Sequence, residues 1–178
     1  GTIYSIWKGF KELHALGKIE ALPRMVGVQA EGCAPIVNAY KKEKTEPFSS
    51  IQKPSTHALG ILVANPLNGV WALKALKESE GVAISVSDPE IFVAEQEIAR
   101  LEGIFAEPAS SATIAALKKL SGQGIIKPED KVVCLITGSG LKATDVLQAL
   151  TKKRKTAVVG LELSTKEKIL RVLTQKDT

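Results

Sequence analysis

The sequence predicts an α/β protein built on a parallel sheet with helices on both faces. Two observations carry this. Short apolar runs of strand length alternate with helix-length amphipathic segments along the chain, and that alternation implies parallel strands joined by crossovers. The strand runs are also nearly all apolar, as in sheets covered on both faces.

The elements follow in order. Ile3, Ile6, Trp7, Phe10, Leu13 and His14 recur at three- and four-residue spacing, which predicts a helix over Ile3–Leu16, stopped by Gly17. Met25–Ala30 reads as a strand, with Glu31-Gly32 at its carboxyl end and a helix over Ala34–Lys42. Thr45–His57 holds prolines and serines and reads as an irregular loop long enough to suggest binding. Leu59–Ala64 is expected to be a strand, followed by a turn into a helix from Gly69 to Glu78 with Asn68 as N-cap. Val82–Val86 alternates β-branched residues and reads as a strand. Ser87-Asp88-Pro89-Glu90 is a capping-box start for a helix running to about Leu101, with Gly103 as its stop. Glu107-Pro108 opens a further helix over Ala109–Leu120, whose small residues allow close packing. Val132–Ile136 is expected to be the last strand of this part. Beyond residue 150 a basic linker, 151–155, precedes a possible strand over 157–163 and a helix over 165–174. Two domains are therefore expected, 1–150 and 151–178.

Composition narrows the function classes. The 178 residues suffice for one real core, and the net charge of +5 is modest. Much of the positive charge sits in Lys41-Lys42-Glu43-Lys44 and Lys152-Lys153-Arg154-Lys155. Neither run is interleaved with aromatics, so both read as solvated surface rather than as a nucleic-acid or membrane site. Cys33 and Cys134 lie far apart, and His14 and His57 stand alone, which predicts no metal site. No apolar run approaches the roughly 20 residues of a membrane-spanning helix, and a cytoplasmic location is expected.

The most informative segment is Leu135-Ile136-Thr137-Gly138-Ser139-Gly140-Leu141-Lys142. A strand ending in Thr-Gly-Ser-Gly brings a hydroxyl and a turn poor in side chains to the carboxyl end of the sheet, where open α/β folds hold ligands. Thr137 can give or accept a hydrogen bond there, and Gly138 and Gly140 let the backbone approach a flat ligand. The same turn is also compatible with Thr137 as a simple cap.

Three further segments sit beside it: Gly1-Thr2-Ile3-Tyr4-Ser5-Ile6-Trp7-Lys8-Gly9-Phe10, Gly27-Val28-Gln29-Ala30-Glu31-Gly32-Cys33-Ala34-Pro35, and Gly103-Ile104-Phe105-Ala106-Glu107-Pro108-Ala109-Ser110-Ser111. In this order and spacing the four resemble the carboxyl-terminal half of the threonine synthase family, over residues 1 to about 145. The resemblance implies pyridoxal 5′-phosphate as cofactor and the fold shared with tryptophan synthase β, fold type II. It implies O-phospho-L-homoserine and water as substrates, giving L-threonine and phosphate, and a homo-oligomer. Related lyases on this fold, threonine dehydratase and cysteate synthase, stay open as alternatives, as does a non-catalytic binding or regulatory domain.

The resemblance also assigns residues. Thr137 would meet the cofactor ring nitrogen, with Gly138 beside it. Gly1 and Thr2 would end the phosphate loop, placing the amino terminus of the first helix toward the phosphate. Glu107 would either face cofactor and substrate or satisfy backbone donors of neighbouring turns, while Glu31 is a weaker candidate of the same kind. Lys8 and Lys142 read as surface or salt-bridge residues. The family's cofactor-binding lysine segment is not found in this sequence, so the chain is expected to be a portion of the enzyme, inactive alone, that pairs with an amino-terminal half. Ala143 departs from the acid many members carry after the lysine.

Overall fold

In the computed structural model the described residues are 1–43 and 51–142. They form helices α1 (Thr2–Ala15), α2 (Pro35–Lys41), α3 (Gly69–Glu78), α4 (Asp88–Glu102) and α5 (Pro108–Gly122), and strands β1 (Val26–Ala30) and β2 (Val82–Val86). The strands are parallel, in register from Val26 opposite Val82 to Ala30 opposite Val86.

Alternation along the strands decides which helices cover which face. Val28, Ala30, Val82, Ile84 and Val86 pack on Ile91 and Ala94 of α4 and on Ala112, Ala115, Ala116 and Leu120 of α5. The other face meets α1, α2 and α3. Ala83 packs with Ala34, Val37 and Leu76, and Ile3 and Leu76 lie against the bare face of Gly27. Gln29 points to the same side, and its side-chain oxygen accepts the amides of Ile36 and Val37 at 2.9 and 3.0 Å. A residue of β1 thus caps α2, whose own N-cap, Ala34, has no side-chain acceptor.

Local signals fix the helix ends. At α4, the Ser87 hydroxyl accepts the Glu90 amide at 3.4 Å while the Glu90 carboxylate accepts the Ser87 amide at 2.6 Å. Burial pushes the Glu90 carboxyl up, but Ser87 and the nearby Lys119 ammonium outweigh it and hold it below the usual range. Gly103 closes the helix in the left-handed region at φ 67°. Gly17 does the same for α1 at φ 64°, with Lys18 N–H donating to Leu13 and Gly17 N–H to His14, both at 2.9 Å.

Two expected strands are not strands. Leu59–Ile61 is a 3-10 turn, held by the Ile61 amide on the Ala58 carbonyl, with Leu59 exposed. Residues 132–136 form no regular element and no ladder among the described residues, and Val132, Val133 and Leu135 are exposed. Their apolar pattern meets the sequence condition for a strand, but a strand also needs a neighbour to take its backbone groups. The linker 151–155, the elements at 157–163 and 165–174, the second expected domain, Lys44 and the part of the irregular loop over 45–50 lie outside the described residues.

Glu95 has no counterpart in the sequence reading. It sits on the buried face of α4, is 4% exposed, and neither carboxylate oxygen has a hydrogen-bond partner among the described residues. Burial pushes its pKa up. Because the folded state holds this proton more tightly than the unfolded state, Glu95 costs nothing below its unfolded pKa, and stability falls as pH rises toward the folded pKa. Glu95→Leu is expected to raise stability at pH 7 by about 1–3 kcal/mol and to flatten that slope, read by urea unfolding between pH 4 and 8.

Candidate active site

The 51–58 segment lies across the carboxyl ends of both strands. The Ser55 amide donates to the Gly32 carbonyl at 3.1 Å, just past β1. A Cβ on Gly32 would overlap the Ser55 carbonyl, so glycine is required for this approach. At the end of β2, Asp88 accepts the Thr56 hydroxyl and, at 2.9 Å, the His57 amide. The chain then enters the 3-10 turn, where a Cβ on Gly60 would fall 2.9 Å from Ala109 Cβ in the first turn of α5.

The Thr137–Gly140 turn docks at the same end of α5. The Glu107 amide donates to the Gly138 carbonyl at 3.0 Å, and the Gly140 amide donates to the Phe105 carbonyl at 2.9 Å, around an antiparallel bridge between Ala106 and Ser139. Ser110 holds the centre. Its hydroxyl oxygen accepts the Thr137 amide at 3.1 Å and the Gly138 amide at 2.8 Å, and lies 3.2 Å from Thr137 Oγ1. Ser110 is buried, while Thr137 is exposed.

The structure therefore brings Thr137, Gly138 and Glu107 together. Thr137 was expected at the end of a strand; its support instead comes from α5, because 132–136 is unpaired among the described residues. The glycines also have a packing role that the motif does not name. A Cβ on Gly138 would overlap the Glu107 carboxylate, and one on Gly140 would lie 2.6 Å from Phe105 Cδ2. Their bare faces seat the turn on 105–107. Of the two roles open to Glu107, capping of backbone donors by its carboxylate is not seen among the described residues. It is the Glu107 carbonyl that takes the Ser110 and Ser111 amides, both at 3.0 Å.

Gly1 and Thr2 are not joined to this cluster by any hydrogen bond among the described residues. They begin α1, beside Asn68, whose Nδ2 would lie 3.6 Å from a Cβ on Gly1. Among the described residues no side chain caps α1 or α3, and first-turn amides of this kind suit an anion. Asn68 is the N-cap of α3 by position, without the expected side-chain bond. Glu31 is engaged by Lys119 at 3.2 Å, and Lys8 pairs with Glu12, so Lys8 is a salt-bridge residue as read from the sequence. Ser110 was not singled out in the sequence. A hydroxyl in the first turn of a helix is an ordinary pattern, and nothing local shows that it reaches a residue 27 positions away.

The geometry offers an exposed hydroxyl on a turn fixed by four backbone hydrogen bonds, those of Glu107, Gly140, Thr137 and Gly138. With those four amides engaged, the Thr137 hydroxyl is the donor the turn offers, and it suits the edge of a heteroaromatic ligand carrying a ring acceptor. It fits pyridoxal phosphate, and the chain belongs to the family of pyridoxal-phosphate dependent enzymes, whose model matches residues 1–138. Within that class it is similar to threonine synthases. That of Methanocaldococcus jannaschii is 42% identical over 173 residues, covering 97% of this chain and 42% of that protein. The threonine synthase of Methanosarcina acetivorans is 46% identical over 142 residues, covering 80% and 35%, and that of Mycobacterium tuberculosis 43% over 145 residues, covering 82% and 38%. The chain thus spans less than half the length of these relatives. The fold is shared with a threonine deaminase from T.th. (TM-score 0.51, 17% identity, 76% of this chain and 42% of that one). It is shared also with the serine racemase of Dictyostelium discoideum (TM-score 0.50, 23% identity, 65% and 34%).

Proposed function

We propose that this chain is the carboxyl-terminal portion of a cytoplasmic, homo-oligomeric threonine synthase, which converts O-phospho-L-homoserine and water to L-threonine and phosphate. The observation that carries the reading is 40–46% identity to proteins of that name across most of this chain. The exposed Thr137 hydroxyl on its braced turn supports it.

When bound, pyridoxal phosphate supplies an electron sink that eases proton loss from the substrate carbons. The residues of this chain set how strong that sink is. Thr137 would present a neutral hydroxyl to the ring nitrogen, and a neutral hydroxyl holds a proton on that nitrogen less well than a carboxylate would. The sink is restrained, which favours elimination and replacement at the β and γ carbons. Gly138, pressed on Glu107, keeps the turn from drifting away from the ring. Glu107 places a carboxylate against Gly138 of that turn, where it would face cofactor and substrate. First-turn amides of α1, next to Gly1 and Thr2, are suited to an anionic phosphate. The lysine that holds the cofactor comes from an amino-terminal segment of the intact protein.

The experiment is product analysis with the full-length protein, pyridoxal phosphate and O-phospho-L-homoserine. Equal amounts of threonine and phosphate are expected, and no turnover by residues 1–178 alone. Release of 2-oxobutanoate from threonine, with no phosphate released from O-phospho-L-homoserine, would identify a dehydratase instead. Turnover by residues 1–178 alone would contradict the assignment of the lysine to another segment.

A further inference from the structure

The hydrogen bonds at Ser110 determine which way the Thr137 hydroxyl proton points. A serine hydroxyl has one proton to donate and two lone pairs to accept with. Two backbone donors converge on Ser110 Oγ, the Thr137 amide at 3.1 Å and the Gly138 amide at 2.8 Å. Both lone pairs are thereby used. The third neighbour, Thr137 Oγ1 at 3.2 Å, can then be reached only by the Ser110 proton. Ser110 is 2% exposed, which shields this arrangement from exchange with bulk water. Thr137 Oγ1 therefore accepts from Ser110, and its own proton is left to point away, toward the exposed side of the turn.

We infer that Ser110 is a positioning residue that fixes Thr137 as a hydrogen-bond donor, so that the site selects a ring nitrogen without a proton. This rests on the reading that Thr137 faces the cofactor ring. Without the Ser110 proton, Thr137 could rotate and accept from a protonated nitrogen. The selection is thus made by a side chain that does not itself touch the cofactor, through a contact 27 residues apart in the chain.

The test uses the full-length protein loaded with pyridoxal phosphate carrying nitrogen-15 in the ring, followed by NMR as a function of pH. In the wild type the ring nitrogen is expected to resonate as unprotonated and hydrogen-bonded at neutral pH. Ser110→Ala should move its protonation midpoint upward by about half a pH unit or more, the scale of one hydrogen bond. Ser110→Cys keeps the side-chain volume with a weak donor and should shift it in the same direction, which preserves the test if the alanine variant folds poorly. Ser110→Thr retains the hydroxyl and should restore the wild-type midpoint. A purely structural role, in which the turn only moves away, would carry the midpoint no further than Thr137→Val does, whereas Thr137 turned into an acceptor carries it beyond that value. If Thr137→Val changes the ring-nitrogen signal but the Ser110→Ala and Ser110→Cys midpoints stay at the wild-type value, the role of Ser110 is refuted and the placement of Thr137 stands. If Thr137→Val leaves the signal unchanged, the placement of Thr137 fails, and the inference with it.

Discussion

Thr137→Asp in the full-length protein is expected to lower threonine formation by about 100-fold or more, the range seen when one preorganised group at a reacting centre is lost. The reason is electronic. A carboxylate at the ring nitrogen would favour the protonated ring and strengthen the electron sink. Side reactions such as transamination should then compete with addition of water. The aspartate would also keep an acceptor facing the Ser110 proton, so the turn should survive. Thr137→Val isolates the other contribution. It removes one hydrogen bond of about 0.5–1.5 kcal/mol net, so cofactor affinity should fall only about 2- to 12-fold. Product partitioning, phosphate against threonine, separates the two effects. Wild-type rates and partitioning in both variants would reduce Thr137 to a turn residue.

Gly140→Ala carries the second large effect, on the integrity of the site. Gly140 is buried, and the added Cβ would lie 2.6 Å from Phe105 Cδ2, well inside van der Waals contact. The Gly140 amide is also tied to the Phe105 carbonyl at 2.9 Å, so the turn cannot retreat without breaking that bond. Overpacking of this kind costs about 1–3 kcal/mol, read as a lower urea midpoint, and should release Thr137 from its position. Phe105→Ala in the same chain should relieve the clash. In a double-mutant cycle the Gly140→Ala cost is expected to shrink by more than half in the Phe105→Ala background. Additive costs would mean that the ring and the glycine do not meet.

What the sequence disclosed depended on how local the cause was. Ser87 and Glu90 are three residues apart, and the capping box they form is present as read. Gly17 and Gly103 end their helices because each adopts a left-handed conformation within its own turn. The runs at Met25–Ala30 and Val82–Val86 were legible as strands of a parallel sheet, and they pair in parallel. Residues 132–136 have as strong a strand pattern, but pairing depends on a neighbour that a pattern cannot supply. Leu59–Ala64 failed for a related reason. Its apolar run contains Gly60, which must approach Ala109 closely, and the chain turns there instead of extending. Thr137, Gly138 and Glu107 were legible as motif residues, and they do lie together. How they are held was not, since Ser110, Phe105 and Ala106 reach Thr137–Gly140 only through tertiary contact. Gly1 is placed beside Asn68, and neither it nor Thr2 has a hydrogen bond to the Thr137 turn among the described residues.

One measurement tests directly whether the Thr137 hydroxyl is the partner of the cofactor ring nitrogen. It is a crystal structure of the full-length protein with pyridoxal phosphate bound. Thr137 Oγ1 should lie within about 2.7–3.2 Å of the ring nitrogen, in line with it, with Ser110 still bridging to Thr137. A ring nitrogen facing a different side chain, or lying beyond hydrogen-bond reach of Thr137, would contradict the account.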